Sequence, residues 1–187
     1  MKSPVLIACA IALAAAPALA RRTACVPEHA SLPTLIEGDG YAVDGDTIVL
    51  MVDGRRYGEV RLFGVDAPEL RSRVSKEEMQ AGMRSRDALD RLLAAGGDRV
   101  RVIPIEHDRY CRVVGRIEVD GRDVAEAMLR GGWAYVFTAW AFGRARDPSL
   151  VKRYIAVQRE ARDAAAGLWP TWLGTAQPQQ PRAAAVP

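Results

Sequence analysis

Two acidic motifs and an arginine between them contain residue types that suit chemistry on a phosphate ester. Asp44 and Asp46 flank a glycine, Arg61 follows further along the chain, and Asp66 and Glu69 come soon after Arg61. A guanidinium offers paired N–H donors that match phosphate oxygens. Carboxylates bind hard cations, and they accept or orient the proton of an attacking water. These side chains act together only if the fold brings them to one place.

A predicted β-hairpin brings Asp46 next to Arg61. The dipeptide Asp53-Gly54 is a strong signal for a two-residue turn, and β-branched and aliphatic residues occupy both sides of it. Such a turn pairs residues whose numbers sum to 107, so Asp46 is predicted to lie opposite Arg61. A bulge in either strand would shift this pairing by one residue.

The carboxylates after this hairpin are predicted to join Asp46. Pro68 prevents the second strand from continuing its ladder, which places Asp66 and Glu69 near Asp46. Three carboxylates near one arginine repel one another unless a cation balances them. Asp46 and Asp66, with a backbone carbonyl and water, suit Ca²⁺ better than Zn²⁺, and the two histidines lack zinc-site spacing. Taken singly, the same aspartates also suit ordinary turns and loops.

A second arginine stands in a motif further along the chain. Asp108-Arg109-Tyr110-Cys111-Arg112 places Arg112 at the start of another predicted strand. Read together with the acidic motifs, this second guanidinium favours a site for phosphate chemistry over a set of unrelated turns.

Caps and apolar periodicity predict three helices. The first begins at the capping box of Ser75 and Glu78 and ends near Ala95. A short helix ends at Arg130, and the last helix has Asp147 as its N-cap. The apolar faces predicted for the first and last helices contain Met79, Met83, Leu89, Leu92 and Leu93, and Leu150, Tyr154, Val157, Ala161 and Ala165, respectively.

The order of the elements predicts the fold class. Strand-type runs at 100–105 and 112–119 follow the first long helix, so the chain reads as strands, a helix, strands and then helices. This order predicts an α+β fold in which helices cover one end of a small, largely antiparallel barrel or sheet.

Taken in order, the motifs resemble the staphylococcal nuclease (thermonuclease) family. They are Val43 to Thr47, Arg61 to Glu69, Asp108 with Tyr110 and Arg112, residues 120–131, and Gly167-Leu168-Trp169. The resemblance implies an OB-fold, a five-stranded antiparallel barrel with three helices. It also implies a nuclease that uses one Ca²⁺ and hydrolyses DNA and RNA to products with 3′-phosphate ends.

The resemblance also implies roles for individual residues. Those that would hold Ca²⁺ are Asp46, Asp66 and the main chain of Ala67, those implied as catalytic are Arg61, Glu69 and Arg112, and those implied as substrate-binding are Arg109 and Tyr110. In such a site the arginines stabilise negative charge on the phosphate oxygens as water attacks. Glu69 then accepts or orients the proton of that water.

Two positions depart from the family's pattern. Cys111 stands where the family usually has glycine, and a site that needs a positive φ would strain a cysteine and could re-aim Arg112. The family's pair of pocket tyrosines after the second helix is not matched cleanly by residues 135–140.

The first twenty residues have the layout of a secretory signal. Basic Lys2 precedes an apolar stretch from Val5 to Ala16, and the small-residue end Ala18-Leu19-Ala20 follows. Cleavage near Ala20 predicts a secreted or periplasmic protein without a stable membrane anchor. The predicted boundaries are a signal peptide (1–20), an N-terminal arm (21–36), the OB-fold domain (37–172) and a disordered tail (173–187).

Cleavage there would leave Cys25 and Cys111 as the two cysteines of the mature chain. An exported protein can form disulfides, so a Cys25–Cys111 bridge and two unpaired thiols both stay open.

Composition narrows the classes of function. Lys and Arg number 26 against 23 Asp and Glu, a formal net charge of +3, so phosphate binding must come from a few placed arginines rather than from bulk charge. The mixed charges and the lack of repeats exclude a collagen, a coiled coil and a polytopic membrane protein.

We therefore expect a secreted, monomeric, Ca²⁺-dependent nuclease that prefers single-stranded DNA and RNA. One alternative is a catalytically inactive OB-fold module that binds single-stranded nucleic acid or a protein partner. Another is a structural protein of the cell envelope that Ca²⁺ stabilises.

Overall fold

The computed structural model describes residues 31–70, 75–108, 110–137 and 147–173 of the chain. Its strands are β1 (Ile36–Ala42), β2 (Thr47–Val52), β3 (Arg55–Leu62), β4 (Val65–Asp66), β5 (Arg99–His107), β6 (Val113–Val119), β7 (Arg122–Asp123) and β8 (Tyr135–Val136). The α-helices within those ranges are α1 (Lys76–Ala95), α2 (Val124–Arg130) and α3 (Pro148–Asp163), and a π-helical turn spans Trp169–Leu173. The predicted α+β class is confirmed.

Five strands close into a barrel in the order β3-β2-β1-β5-β6, because β6 also pairs with β3. The predicted OB-fold barrel is confirmed, but its closing pair, β3 with β6, is parallel rather than antiparallel. Strand direction cannot alternate all the way round a ring with an odd number of strands, so one neighbouring pair must be parallel. β7 extends the sheet beyond β6, and β4 and β8 form a separate antiparallel pair.

A bulge in the β2–β3 hairpin changes the predicted register. Next to the turn the pairing follows the two-residue rule, but it shifts by one residue at Tyr57, the additional residue on β3. Thr47 therefore lies opposite Arg61, and the prediction that Asp46 occupies this position is wrong by one residue.

Alternate residues of the barrel strands fill the core. Ile48 and Leu50 of β2 are fully buried, whereas Val49 between them lies on the outer face. Helices α1 and α2 contribute further buried side chains to the same core, among them Leu89, Leu93, Met128 and Leu129. The outer face of β1, β2 and β3 is therefore available to position polar side chains.

Helix α1 confirms the predicted capping box but not the predicted apolar face of its first half. The Ser75 hydroxyl accepts a hydrogen bond from the Glu78 N–H at 3.1 Å. Met79 and Met83 are exposed, so their predicted burial is wrong. Small residues face inwards there because the chain packs closely: a Cβ on Gly82 would lie 2.6 Å from the carbonyl oxygen of Glu69.

Helix α3 begins as predicted, with Asp147 as its N-cap and Pro148 in its first turn. It buries the predicted face except for Ala165, which is exposed with a φ of +50° because the helix has already ended at Asp163. The Tyr154 hydroxyl donates to Asp123 Oδ2 at 2.7 Å, which joins α3 to the N-cap of α2.

Several predictions fall partly or wholly outside the described residues. The signal peptide and Cys25 lie there, as do most of the N-terminal arm and all of the predicted tail except Leu173. Within the described part of the chain, none of the helices combines the length and the apolar composition needed to cross a membrane.

Candidate active site

One guanidinium bridges two carboxylates at the end of the β2–β3 hairpin. Arg61, near the end of β3, donates from Nη1 to Oδ1 of Asp46, the residue just before β2. Its Nη2 donates to Oδ1 of Asp66 at 2.6 Å and to the carbonyl oxygen of Val65 at 3.2 Å. The structure thus brings together three of the predicted site residues despite the shifted register.

The Asp46 carboxylate is held on both of its oxygens. Its Oδ1 also accepts from the Thr47 hydroxyl at 2.9 Å, and its Oδ2 accepts from the Ala67 N–H at 3.0 Å. Asp44 orients the same residue, because its Oδ1 accepts from the Asp46 N–H at 3.1 Å. Asp46 is 3% exposed, so this carboxylate is both desolvated and fixed. The backbone of Ala67, a predicted calcium ligand, lies directly beside it.

The site carries more negative than positive charge. Burial raises the pKa of Asp46, and Arg61 opposes that rise only in part. Burial and repulsion from Asp46 likewise raise the pKa of Asp66. Burial disfavours the charged form of Arg61, but the two carboxylates outweigh it and raise the pKa of this guanidinium, which therefore stays protonated. Two carboxylates share one guanidinium, which leaves an excess negative charge among oxygen donors.

This donor set fits a hard divalent cation. The predicted ligands are two carboxylates and one main-chain oxygen, which is the chemistry that Ca²⁺ prefers and Zn²⁺ does not. Across residues 31–70, 75–108, 110–137 and 147–173, no group of three or more His, Cys, Asp or Glu side chains forms a metal site. A cation here would thus depend on Asp46, Asp66 and the Ala67 carbonyl together.

Tyr135 supports Asp66 from a separate element. Short strands β4 and β8 pair Asp66 with Tyr135, and the Tyr135 hydroxyl donates to Asp66 Oδ2 at 2.9 Å. Burial and the negative charge of Asp66 raise the pKa of this phenol, so it remains a donor. Sequence reasoning did not assign Tyr135 to the site, because a two-residue strand pair has no periodic pattern to predict it.

Arg112, the residue just before β6, extends its side chain to the same site. Its Nε donates to Asp108 Oδ2 at 2.8 Å, and its Nη1 donates to the Thr47 hydroxyl at 3.3 Å. Since Thr47 in turn donates to Asp46, one hydroxyl joins Arg112 to the carboxylate that Arg61 binds. Thr47 is fully buried and Asp108 is 7% exposed, so both contacts are shielded from water.

The turn before Arg112 has an unusual backbone. Cys111 has a φ of +69°, in the left-handed region that favours glycine, which is the family residue expected there. The Asp108 carboxylate closes the turn, since its Oδ1 accepts from the N–H groups of Tyr110 at 2.8 Å and Arg112 at 3.0 Å. Arg112 therefore keeps its place near Thr47 with a cysteine at position 111.

Cys111 is disulfide-bonded in the structure. The other two cysteines of the chain, Cys9 and Cys25, lie outside the described residues, so the Cys25–Cys111 pairing stays a prediction.

Of the two predicted substrate residues, Tyr110 lies in the turn before Arg112. Tyr110 is 60% exposed, and the Arg112 guanidinium lies 5.5 Å from the centre of its ring. Arg109 falls outside the described residues. An exposed ring beside an arginine suits a nucleic-acid base next to a phosphate.

Glu69 is exposed and follows the cluster along the chain. It comes after Ala67 and Pro68, which are both buried, and the backbone of Glu69 packs against Gly82 of α1. Glu69 is exposed, so solvent reaches this residue. A residue that acts on a water molecule needs such access.

Thr47 and Asp108 were also missed as site residues by sequence reasoning. Thr47 occupies a regular strand position, and only the bulge places it between the two arginines. The signal for Asp108 was its position four residues before Arg112, in a motif that also contains Tyr110.

A family model described as "Staphylococcal nuclease homologue" matches residues 59–171. This range begins after Asp46 and contains the other predicted site residues: Arg61, Asp66, Ala67, Glu69, Arg109, Tyr110 and Arg112. Asp46 is nevertheless bound directly by Arg61, the first of these residues.

Proteins named as nucleases are similar to the chain. "Probable endonuclease LCL3" of Komagataella phaffii (strain GS115 / ATCC 20864) is 35% identical over 114 residues, covering 59% of this chain and 48% of that protein. "Probable staphylococcal-like nuclease CAN1" of Oryza sativa subsp. japonica is 33% identical over 122 residues, covering 65% and 30%. "Staphylococcal-like nuclease CAN1" of Arabidopsis thaliana is 30% identical over 122 residues, covering 65% and 31%. The chain thus spans half or less of the length of these relatives.

Proposed function

We propose, since the chain belongs to the staphylococcal nuclease family, that its carboxylate–arginine site hydrolyses phosphodiester bonds in nucleic acids. The observation that carries this proposal is that Arg61 and Arg112 converge on one buried carboxylate. Arg61 binds Asp46 directly, and Arg112 reaches it through the Thr47 hydroxyl. The names of the relatives, endonuclease and nuclease, support the same class of reaction.

The two guanidinium groups stabilise the charge that develops during hydrolysis. Attack of water on a phosphodiester builds negative charge on the non-bridging oxygens. Arg61 and Arg112 are each held by carboxylates, so their donors are oriented before substrate binds. Preorganised donors of this kind need little rearrangement as the reaction proceeds, and this is why they favour the transition state.

Glu69 is the proposed base. Glu69 is exposed to solvent, so it can orient a water and accept the proton that the water loses. The packing of its backbone against Gly82 fixes the segment that carries it.

Asp46, Asp66 and the main-chain oxygen of Ala67 would hold one Ca²⁺. When bound, the ion supplies positive charge beside the phosphate. The protein's own contribution is to orient the two carboxylates, through Arg61, Thr47, Tyr135 and the Ala67 N–H, while Arg61 opposes the rise in their pKa values that burial causes. Burial and repulsion between carboxylates disfavour the ionised form of Asp46 and Asp66, and a bound cation would relieve both effects, which supports a cation at this position.

The finer parts of the proposal concern substrate and location. We propose single-stranded DNA and RNA as substrates, products with 3′-phosphate ends, and a secreted or periplasmic, monomeric enzyme. The exposed Tyr110 ring beside Arg112 supports single strands, because bases in a duplex are not free to stack on a side chain.

The direct test is digestion of end-labelled single-stranded DNA and RNA by the purified chain with Ca²⁺, Mg²⁺ or a chelator. We expect cleavage with Ca²⁺, none with chelator, and 3′-phosphate ends on the products. Intact DNA after incubation with Ca²⁺ contradicts the proposal. Binding without cleavage would indicate the inactive module instead. A rise in melting temperature with Ca²⁺, without binding or cleavage of nucleic acid, would indicate the structural protein.

A further inference from the structure

The outer face of β1, β2 and β3 continues beyond the active site. On this face, Thr47 of β2 lies opposite Arg61 of β3, and the Val43 N–H donates to the Thr47 carbonyl at 2.9 Å. In the next row along the strands, Val49 lies opposite Tyr41. Side chains alternate along a strand, so both rows lie on one face of the sheet. The residues of this face on β2 are Thr47 and Val49, and those on the β1 side are Val43 and Tyr41.

Two residues of this face expose large apolar side chains. Tyr41 is 48% exposed and Val43 is 40% exposed. Diagonal neighbours on one face of an antiparallel pair lie about 7–8 Å apart. Tyr41 is the diagonal neighbour of Thr47, which accepts the hydrogen bond of Arg112. An exposed aromatic ring therefore lies next to Thr47, which is opposite Arg61 and accepts a hydrogen bond from Arg112.

We propose that Tyr41, flanked by Val43, is a stacking platform for a base of the single-stranded nucleic acid that the active site cleaves. This inference rests on the proposed nuclease function and extends it to a subsite on β1, which β2 separates from Arg61 on the same face of the sheet. A strand whose phosphate binds Arg61 and Arg112 carries bases on both sides of that phosphate. Tyr110 provides a ring beside Arg112, and Tyr41 provides a second ring across Thr47.

The guanidinium groups near Thr47 favour a nucleic-acid strand as the occupant, and the acidic residues of the same face, Asp39 and Glu59, are paired with Arg99 and Arg56. Arg61 lies in the adjacent row and binds carboxylates, and Arg112 donates to Thr47 of that row, while Tyr41 and Val43 offer an apolar surface. An alternation of guanidinium groups with an exposed ring is the composition of surfaces that bind single strands, where every base has a face to stack.

Tyr57 provides a matched control. It is 46% exposed, almost as much as Tyr41, but it lies in the β3 bulge near the hairpin turn. The ion pair of Arg56 with Glu59, at 3.2 Å, involves residues on both sides of Tyr57 along β3. A general effect of removing an exposed tyrosine would appear in both variants, whereas a platform effect appears only at Tyr41.

The test measures binding of a fluorescein-labelled oligothymidylate by anisotropy, with chelator present so that cleavage does not interfere. We expect Tyr41→Ala to weaken binding about 5-fold or more, as loss of one stacked base does. Tyr41→Phe and Tyr57→Ala are expected to bind like the wild type. An oligonucleotide of the same length built from abasic sites keeps the phosphates but lacks the bases, so wild type and Tyr41→Ala are expected to bind it equally.

In the presence of Ca²⁺, Tyr41→Ala is expected to raise KM for the oligothymidylate and leave kcat unchanged, because Tyr41 does not touch the reacting atoms. Equal binding by wild type and Tyr41→Ala, or an equal loss in Tyr57→Ala, overturns the platform. Failure of the wild type to bind the oligothymidylate also overturns it. If the wild type binds through Tyr41 but does not cleave, the platform stands and the proposed hydrolysis fails.

Discussion

Arg112 donates to the Thr47 hydroxyl at 3.3 Å, and this contact joins the second arginine to the carboxylates that the first arginine bridges. The two arginines are far apart in the sequence and come from opposite sides of the barrel closure, where β3 pairs with β6. Closure of the barrel thus assembles the site. The Thr47 hydroxyl links the two arginines, because it accepts from Arg112 and donates to Asp46, which Arg61 binds.

Replacement of Thr47 by valine tests the link that its hydroxyl forms between Arg112 and Asp46. Valine has a similar shape but no hydroxyl, so Arg112 loses an acceptor and Asp46 loses a donor. We expect the free energy of unfolding to fall by roughly 1–2 kcal/mol and kcat to fall by up to about tenfold. Thr47→Ser keeps the hydroxyl and serves as the control. Unfolding by urea and cleavage rates measure both effects, and a Thr47→Val variant with wild-type kcat would show that Arg112 needs no support from Thr47.

The raised pKa values of Asp46 and Asp66 predict how stability depends on pH when Ca²⁺ is chelated. A carboxyl whose pKa is higher in the folded state contributes stability at low pH and loses it as the pH rises through the folded-state pKa. With Ca²⁺ chelated, we therefore expect these two groups to lower the melting temperature as the pH increases from about 4. The Asp66→Asn variant is expected to show a smaller decrease in melting temperature over the same pH range.

Addition of Ca²⁺ provides a second test of Asp46 and Asp66 as the cation site. At neutral pH, Ca²⁺ is expected to raise the melting temperature of the wild type, because binding to the folded state stabilises it. The Asp66→Asn variant is expected to respond much less. An equal rise in both proteins would place the ion elsewhere.

Replacement of Gly82 by alanine tests the support of Glu69. The added Cβ would lie 2.6 Å from the Glu69 carbonyl oxygen and 2.8 Å from that of Pro68, so the segment must move. We expect a loss of about 1–3 kcal/mol from overpacking, even though alanine favours the helix, together with slower cleavage. Met83→Ala, on the exposed side of the same helix, is expected to change neither property. A normal cleavage rate for Gly82→Ala would show that cleavage does not depend on the position of the Glu69 segment.

The left-handed backbone at Cys111 predicts a difference between two variants that both lack the disulfide. Glycine adopts a φ of +69° freely, whereas alanine meets a steric cost of roughly 1–2 kcal/mol. We expect Cys111→Gly to hold Arg112 in place and cleave faster than Cys111→Ala. Melting temperatures and cleavage rates of the pair provide the comparison, and equal rates would mean that the position of Arg112 does not depend on this turn.

The parts of the fold and site that follow local rules could be predicted from the sequence. The capping box at Ser75 and the proline start of α3 depend on neighbouring residues, and both are as predicted. The closeness of Asp46 and Arg61 could also be predicted, because a hairpin turn fixes it to within one residue. The exact register could not be predicted, because nothing in the local pattern marks Tyr57 as a bulge.

Features that depend on contacts between distant segments could not be predicted. Tyr135 meets Asp66 through a two-residue strand pair, and Thr47 meets Arg112 through barrel closure. The exposure of Met79 and Met83 has the same origin, because the backbone near Glu69 packs against small residues of α1. Periodicity alone assigned those methionines to the buried face.

In the proposed mechanism, the Arg61 guanidinium, which bridges Asp46 and Asp66, acts on the phosphodiester. The most direct measurement is the rate of single-stranded DNA cleavage, with saturating Ca²⁺, by wild type, Arg61→Lys and Arg99→Lys. Arg99 also pairs with an aspartate, Asp39 at 3.0 Å, but on the exposed surface away from the site. Lysine keeps the charge but cannot bridge two carboxylates with a planar fork, so we expect Arg61→Lys to be about 10²- to 10³-fold slower and Arg99→Lys to match the wild type. Equal rates for a folded Arg61→Lys and the wild type would contradict the account.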